Sequence, residues 1–292
     1  MILRDAINRL IDSQEIMHED MLDVMRQIMR GDVSETLISA FIVGLRVKGE
    51  TVGEISAAAQ VMRELSIKVS VSDKSHLVDT CGTGGDGFST FNISTAAAFV
   101  TAAAGGRVAK HGGRSVSSTS GSADVLEALQ VNLKLSPDQV ARCIDEVGIG
   151  FMFAPNHHTA MRYAAPVRKE LGVRTLFNIL GPLTNPAQAR NQLMGVFHPD
   201  LVGIQANVLR QLGSQNAMVV YGEDGLDEIS ITGNTRVAEL VDGEVVEYQV
   251  NPKQFGLAEA NLSELQTSDG EEAKKMLLGV LEGSKGAASD IV

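Results

Sequence analysis

Leu77-Val-Asp-Thr-Cys-Gly-Thr-Gly-Gly-Asp-Gly-Phe-Ser-Thr-Phe-Asn-Ile-Ser-Thr95 runs from a short apolar segment through four glycines to a cluster of amide and hydroxyl side chains. The apolar run Leu77 to Thr80 predicts a strand, and the stretch from about Ser94 to Ala104 predicts a helix. Between them Gly82, Gly84, Gly85 and Gly87 permit positive φ and close approach of the backbone, while Asn92, Ser94 and Thr95 stand at the helix start. Backbone N–H groups and the helix dipole stabilise phosphate at such a place, so the segment is an anion cradle. A ligand-free turn would need fewer glycines. Asp86 inside the loop would repel a phosphate unless a cation or ligand hydroxyls intervene, which points to magnesium or a ribose nearby. Neither common nucleotide fingerprint is present: there is no Gly-x4-Gly-Lys-Ser/Thr, and the glycine spacing does not fit Gly-x-Gly-x-x-Gly.

Outward from this unit, short apolar segments alternate with helices. Arg107 to Ala109 is a candidate strand, and helices are expected near Ala123 to Leu129 and over Pro137 to Val147. Ala217 to Tyr221, Glu228 to Ile231, Val237 to Val241 and Glu244 to Val250 are further candidate strands. Asp242-Gly243 joins the last two as a hairpin, so part of the sheet is antiparallel. The first seventy residues instead give helices from Glu19 to Met29, Ser34 to Lys48 and Thr51 to Leu65, with Thr51 as N-cap. The expected architecture is a small helical domain (1–72) followed by a larger α/β domain (73–292) with a mixed central sheet. Leu37, Ile38, Phe41, Ile42 and Leu45 form a broad apolar face that suits either the internal core or a partner subunit.

Composition narrows the partners. With Lys+Arg 25 against Asp+Glu 36 the net charge is −11, which disfavours nucleic acid. No apolar run has the length of a membrane span, and Arg4, Asp5, Arg9 and Asp12 interrupt the N-terminal segment in the manner of an amphipathic helix. Cys81 and Cys143 make no metal or redox motif and fit a reducing, cytoplasmic setting.

Three further segments carry chemistry. Lys110-His-Gly-Gly-Arg-Ser-Val-Ser-Ser-Thr-Ser-Gly-Ser-Ala-Asp124 supplies Lys110, His111 and Arg114 as donors, with Ser117, Ser118, Ser120 and Ser122 before a helix. Two anion-friendly loops in series imply a ligand with more than one phosphate, against the alternative of a solvated serine-rich turn. Ala154-Pro-Asn-His-His-Thr-Ala-Met-Arg-Tyr163 places His158 at the mouth of a helix from about Thr159, with Arg162 a turn later. Dense polar groups continue through Pro166 to Arg174 and Phe177 to Pro186. In Gly222-Glu-Asp-Gly-Leu-Asp-Glu-Ile-Ser230 the adjacent Asp227 and Glu228 follow a strand. They suit magnesium, whose other ligands are water and substrate phosphate, though alone they would be a solvated charged turn.

Taken in order, the glycine loop, Lys110-His-Gly-x-Arg114, His158-x-Ala-Met-Arg162 and Asp227-Glu228 resemble the anthranilate phosphoribosyltransferases over nearly the whole chain. The resemblance implies the nucleoside phosphorylase/phosphoribosyltransferase type of fold, with a helical segment near 165–185 joining the small domain and a homodimer formed through that domain. It implies transfer of phosphoribosyl from 5-phosphoribosyl 1-pyrophosphate to the amine of anthranilate, releasing pyrophosphate, as a step of tryptophan biosynthesis. For the donor it implies Gly82, Thr83, Gly85, Asp86, Thr90, Asn92, Ser94, Thr95, Lys110 and Ser122. For Mg2+ it implies Ser94, Asp227 and Glu228. For anthranilate it implies Gly82, His111, Gly113, His158, Arg168, Gly181 and Pro182, with Arg168 on the carboxylate. No covalent nucleophile is expected.

The chain departs from the family pattern at Gly113, where Asn is usual, at Thr119, where Lys is common, and at His158-Thr-Ala-Met161, usually His-Pro-Ala-Met. Loss of the Asn amide is expected to weaken anthranilate binding. The family also continues for several dozen residues past a point like Asp290-Ile-Val292, so the last C-terminal elements are expected to be missing. The sequence is compatible with two other readings. The architecture is similar to that of the pyrimidine nucleoside phosphorylases, whose phosphate loop differs from Gly82-Thr-Gly-Gly-Asp86. A catalytically impaired relative is suggested only by Gly113 and Thr119.

Overall fold

A computed structural model describes residues 1–115 and 120–292; Ser117, Ser118 and Thr119 lie outside the described residues. The chain begins with helices α1 (Leu3–Ile11), α2 (His18–Arg30), α3 (Glu35–Lys48) and α4 (Val52–Leu65). Thr51 starts α4 with a capping box: its hydroxyl accepts from the Glu54 N–H at 3.2 Å, and the Glu54 carboxylate accepts from the Thr51 N–H at 2.9 Å. That carboxylate is fully buried, and it also accepts from the Ile16 N–H at 2.9 Å and from Lys48 Nζ at 2.8 Å. One cap thereby fixes the α1–α2 connection as well as its own helix.

The apolar face of α3 resolves inward. Ile38, Phe41, Ile42 and Leu45 are no more than 1% exposed and belong to the chain's own core, so they are not a surface for a partner.

The chain continues through β1 (Leu77–Gly82), α5 (Ile93–Ala103), β2 (Arg107–Gly112), α6 (Ser122–Ala128), α7 (Pro137–Val147), β3 (Ile149–Phe153) and α8 (Ala154–His157). After α9 (Ala165–Leu171) and α10 (Phe177–Leu180) come β4 (Asn191–Gly195), α11 (Leu201–Gln211), β5 (Asn216–Gly222), β6 (Thr235–Val241), β7 (Glu244–Val250), α12 (Gly270–Leu281) and α13 (Ala287–Ile291). The short α9 and α10 turn back onto α3 and α4, where Val167, Phe177 and Ile179 join the helical core.

The sheet has seven strands in the order β3-β2-β1-β4-β5-β6-β7. The first five are parallel, and β6 and β7 add antiparallel. The β6–β7 hairpin turns on two residues with φ of 52° at Asp242 and 81° at Gly243, the mirror-image turn that the Asp-Gly pair favours. From β1 the chain steps first to β2 and β3 on one side and later to β4 and β5 on the other. The carboxyl ends of β1 and β4 therefore form the switch point at which open α/β sheets bind ligands.

Two expectations are corrected. Glu228 to Ile231 is loop between β5 and β6, because Asp224 gathers the turn with side-chain bonds. It accepts from the Ser230 and Thr232 hydroxyls at 2.6 Å each and from the Leu226 N–H at 3.0 Å. Thr159 to Tyr163 is a short 3₁₀ turn in place of a longer helix, and the Arg162 guanidinium lies over the Tyr163 ring at 4.8 Å.

Candidate active site

The glycine loop leaves β1 at the switch point and is held there from below. Gly82 and Gly195 are register partners at the ends of β1 and β4, and the Asp227 loop rests on both. A Cβ at Gly195 would stand 1.5 Å from the Asp227 carbonyl oxygen, and one at Gly82 would stand 2.7 Å from Asp227 Oδ2. Only glycine allows this approach. The Gly84 N–H donates to Asp227 Oδ2 at 2.8 Å, the Thr83 N–H to the Gly195 carbonyl at 2.9 Å, and the Phe197 N–H to Thr83 Oγ1 at 3.1 Å.

Lys110, on β2 and 2% exposed, reaches across β1. Its ammonium donates to the Thr80 carbonyl and, at 3.1 Å, to Ser94 Oγ in the first turn of α5. The starts of α5 and α6 are stitched together: Asn92 donates to the Ser120 carbonyl at 3.0 Å, and Thr95 Oγ1 donates to Ser122 Oγ at 3.0 Å. Of the residues assigned to the donor by resemblance, the structure thus brings Gly82, Thr83, Asn92, Ser94, Thr95, Lys110 and Ser122 into one connected region. Thr90 stands apart, in an isolated bridge with Gln266.

Charge on this side is unbalanced. Burial pushes the Asp227 carboxyl up to about 7, with the charge of Asp86 adding to the shift. Glu228 is pushed to about 8 by burial and then by Asp227, while Lys110 and the Ser94 backbone N–H oppose the shift. Burial draws Lys110 below its ordinary value against the pull of Asp79, Cys81 and Glu228. No group of three or more His, Cys, Asp or Glu that could hold a metal occurs among the described residues. Two adjacent carboxylates that repel each other nonetheless fit a hard divalent cation whose remaining ligands are water and phosphate oxygens.

The opposite wall is neutral. His111 and His158 face edge to ring with centroids 5.0 Å apart, and His111 Nε2 and His158 Nδ1 are buried without hydrogen-bond partners among the described residues. Burial drives His111 well below its ordinary value and His158 to about 4, so both rings are uncharged at neutral pH. Thr184 ties this wall to the Gly181–Leu183 turn, donating to the Gly181 carbonyl at 2.9 Å and lying 3.5 Å from His158 Nε2. The Pro182 carbonyl accepts from Gln192 at 2.7 Å. The Arg168 guanidinium sits 5.7 Å from the centroid of Phe177; burial alone lowers its pKa, with no acidic neighbour contributing. Among the described residues, nothing lies within 4 Å of where a Cβ on Gly113 would point.

Sequence reasoning missed the supports. Asp79, fully buried, accepts from the His111 N–H at 3.1 Å and from Asn185 Nδ2 at 2.7 Å, while Asn185 also donates to the Ala109 carbonyl at 2.8 Å. Burial raises the Asp79 carboxyl. Arg174 donates to the Gly85 carbonyl and stacks over Phe197 at 4.3 Å. Asp79, Asn185 and Arg174 lie inside or beside the quoted segments, but no local spacing marks residues that meet from about a hundred positions apart.

A helical bundle joined to an α/β sheet with phosphate-adapted loops at its switch point defines a class of glycosyl transferases. The model described as the glycosyl transferase family helical bundle domain matches residues 4–66, and that of its a/b domain matches residues 74–292. Anthranilate phosphoribosyltransferase of Laribacter hongkongensis is 64% identical over 99% of this chain and 84% of its own length, and that of Thiobacillus denitrificans gives the same figures. The crystal structure of the Thermus thermophilus enzyme superposes with a TM-score of 0.92 at 44% identity, covering 98% of this chain and 85% of that one. The Saccharomyces cerevisiae enzyme, solved in complex with phosphoribosyl pyrophosphate and magnesium, gives 0.88 at 29% identity over 99% of this chain and 85% of that one. The chain belongs to the anthranilate phosphoribosyltransferase family.

Proposed function

We propose that this chain transfers the phosphoribosyl group of 5-phosphoribosyl 1-pyrophosphate to the amine of anthranilate, within tryptophan biosynthesis. The observation that carries it is the pairing, at one switch point, of an anion cradle and buried acid pair with a neutral, partly unsatisfied wall. Gly82, Thr83, Gly85, Asp86, Asn92, Ser94, Thr95, Lys110 and Ser122 would take the donor; Thr90, also expected from the resemblance, has no hydrogen bond among the described residues that joins it to them. Asp227 and Glu228, with Ser94 beside them, would hold Mg2+, which when bound supplies charge neutralisation to the leaving pyrophosphate. Gly82, His111, Gly113, His158, Arg168, Gly181 and Pro182 would take the acceptor, the guanidinium matching a planar carboxylate.

In the reaction the bond between the anomeric carbon and the pyrophosphate oxygen breaks, and the oxygen leaves with the electron pair. The amine lone pair forms the new C–N bond, and the nitrogen then releases a proton. Lys110 shares the charge on the leaving group. An arylamine already carries its lone pair, so the chain need only align it and exclude water, which the neutral histidines favour.

We also propose that residues 1–72 and the segment near 165–185 make up one helical domain, and that a homodimer forms through this domain. Val43 and Val47, 37% and 83% exposed and one turn apart on α3, support that surface. Two free cysteines suit the cytoplasm.

The decisive measurement is loss of anthranilate fluorescence on mixing the protein with phosphoribosyl pyrophosphate and magnesium, with EDTA as control. Magnesium-dependent loss supports the reading. Fluorescence that persists while calorimetry still detects donor binding would point to a disabled acceptor site or another acceptor.

A further inference from the structure

We infer that Arg174 is a positioning residue that clamps the glycine loop to the acceptor side of the site, an inference that rests on the donor-binding reading of that loop. Arg174 lies in the connection between α9, which carries Arg168, and α10, so it belongs to the segment packed on the helical bundle. Yet its guanidinium donates to the carbonyl of Gly85, in the middle of the loop that leaves β1. Its planar face lies 4.3 Å from the ring centroid of Phe197, just past the end of β4. Phe197 in turn donates its N–H to Thr83 Oγ1 at 3.1 Å, and the Thr83 N–H donates to the Gly195 carbonyl at 2.9 Å.

The bonds form a ring: guanidinium to Gly85, loop backbone to Thr83, Thr83 to Phe197, and Phe197 back to the guanidinium. Gly84 and Gly85 both have positive φ, of 66° and 82°. A loop made so permissive by glycine keeps one conformation only if something outside it holds it. Gly84 is held by Asp227 at 2.8 Å, and Gly85 by Arg174. No acidic residue forms a salt bridge with Arg174 among the described residues, so its charge remains available to the anionic donor. Because that connection follows directly on α9, with Arg168 six positions before Arg174, a displaced clamp would reach the donor first and the acceptor second.

The test compares Arg174→Ala, Arg174→Lys and Phe197→Leu by steady-state kinetics for both substrates, and by calorimetric titration with magnesium phosphoribosyl pyrophosphate. Arg174→Ala is expected to raise the KM and Kd for the donor about tenfold while the anthranilate KM moves less than about twofold, the size expected when a charge-assisted hydrogen bond is lost. Arg174→Lys keeps a donor and the charge but loses the planar stack, and should fall between. Phe197→Leu should shift the donor Kd in the same direction, and the double variant should do less than the two effects added, because both changes break one ring.

Equal changes in both KM values, an unchanged donor Kd, or full additivity would overturn the clamp. A wild-type chain that binds the donor but does not turn over anthranilate sinks the acceptor assignment while the variant Kd values still judge the clamp. A chain that binds no donor overturns both. Should Arg174→Ala not fold, Phe197→Leu and Arg174→Lys decide the matter through their donor Kd.

Discussion

The two walls of the site treat their polar groups in opposite ways. On the donor side nearly every group is already bonded to a neighbour: Lys110 to Ser94, Thr95 to Ser122, Asp227 to Gly84. What is unsettled there is charge, since Asp227 and Glu228 stand beside each other with carboxyls raised to about 7 and about 8. On the proposed acceptor side charge is settled, both histidines being neutral, but hydrogen bonding is not, with His111 Nε2 and His158 Nδ1 left without partners among the described residues. An incoming cation and polyanion would balance the first wall, and a planar polar aromatic would satisfy the second. On the proposed assignment of the two walls, the donor would be recognised chiefly by charge and the acceptor chiefly by directional hydrogen bonds.

If that contrast holds, the largest effect belongs to the acid pair. Asp227→Asn or Glu228→Gln should lower kcat about 10²–10³-fold, the scale of removing one preorganised charge-stabilising group, and should abolish the magnesium titration of activity. A variant with normal magnesium dependence would break the comparison on its donor side. Next comes Arg168→Ala, expected to raise the anthranilate KM about 10- to 100-fold through loss of an ionic hydrogen bond while the donor KM stays within about twofold. A larger effect on the donor would show that the walls are not separate.

Third is pH. The folded chain holds protons on Asp227 and Glu228 up to about 7 and about 8, whereas unfolded carboxyls lose them near roughly 4. The folded state then binds more protons across that interval, so without divalent cation stability should fall as pH rises from about 5 to 8. Melting temperatures with and without magnesium check this; magnesium should flatten the decline, because binding it requires the deprotonated pair. The smallest effect is Gly113→Asn. No described residue stands within 4 Å of the new Cβ, so the melting temperature should hold and the anthranilate KM should fall about two- to fivefold, the worth of one neutral hydrogen bond.

The sequence reveals the frame because its signals are local. Gly31 ends α2, Thr51 with Glu54 opens α4, and Asp242-Gly243 makes the β6–β7 turn, each through chemistry confined to a few residues. The strand proposed at Glu228 to Ile231 fails for a related reason. Apolar alternation is outweighed there by Asp224, whose side chain takes over the bonding a strand partner would provide. The parts of the site that escape reading are those made by distant pairs. Asn185 meets Asp79 and Ala109, and Arg174 meets Gly85 and Phe197, only after β4 has been laid beside β1. Likewise the face of α3 can be recognised as apolar, but what covers it depends on where α1 and α9 come to rest.

Gly195 lies in the middle of a sheet, far in sequence from Asp227, and carries no reactive atom, yet the Asp227 main chain occupies the space its side chain would need. A protein engineer who enlarged that position to stiffen the strand would be moving the acid pair without touching it. Any library built on this scaffold should therefore treat the last residue of β4 as part of the site's footprint, and a chain found with alanine there should be expected to keep its sheet while losing its grip on the cation.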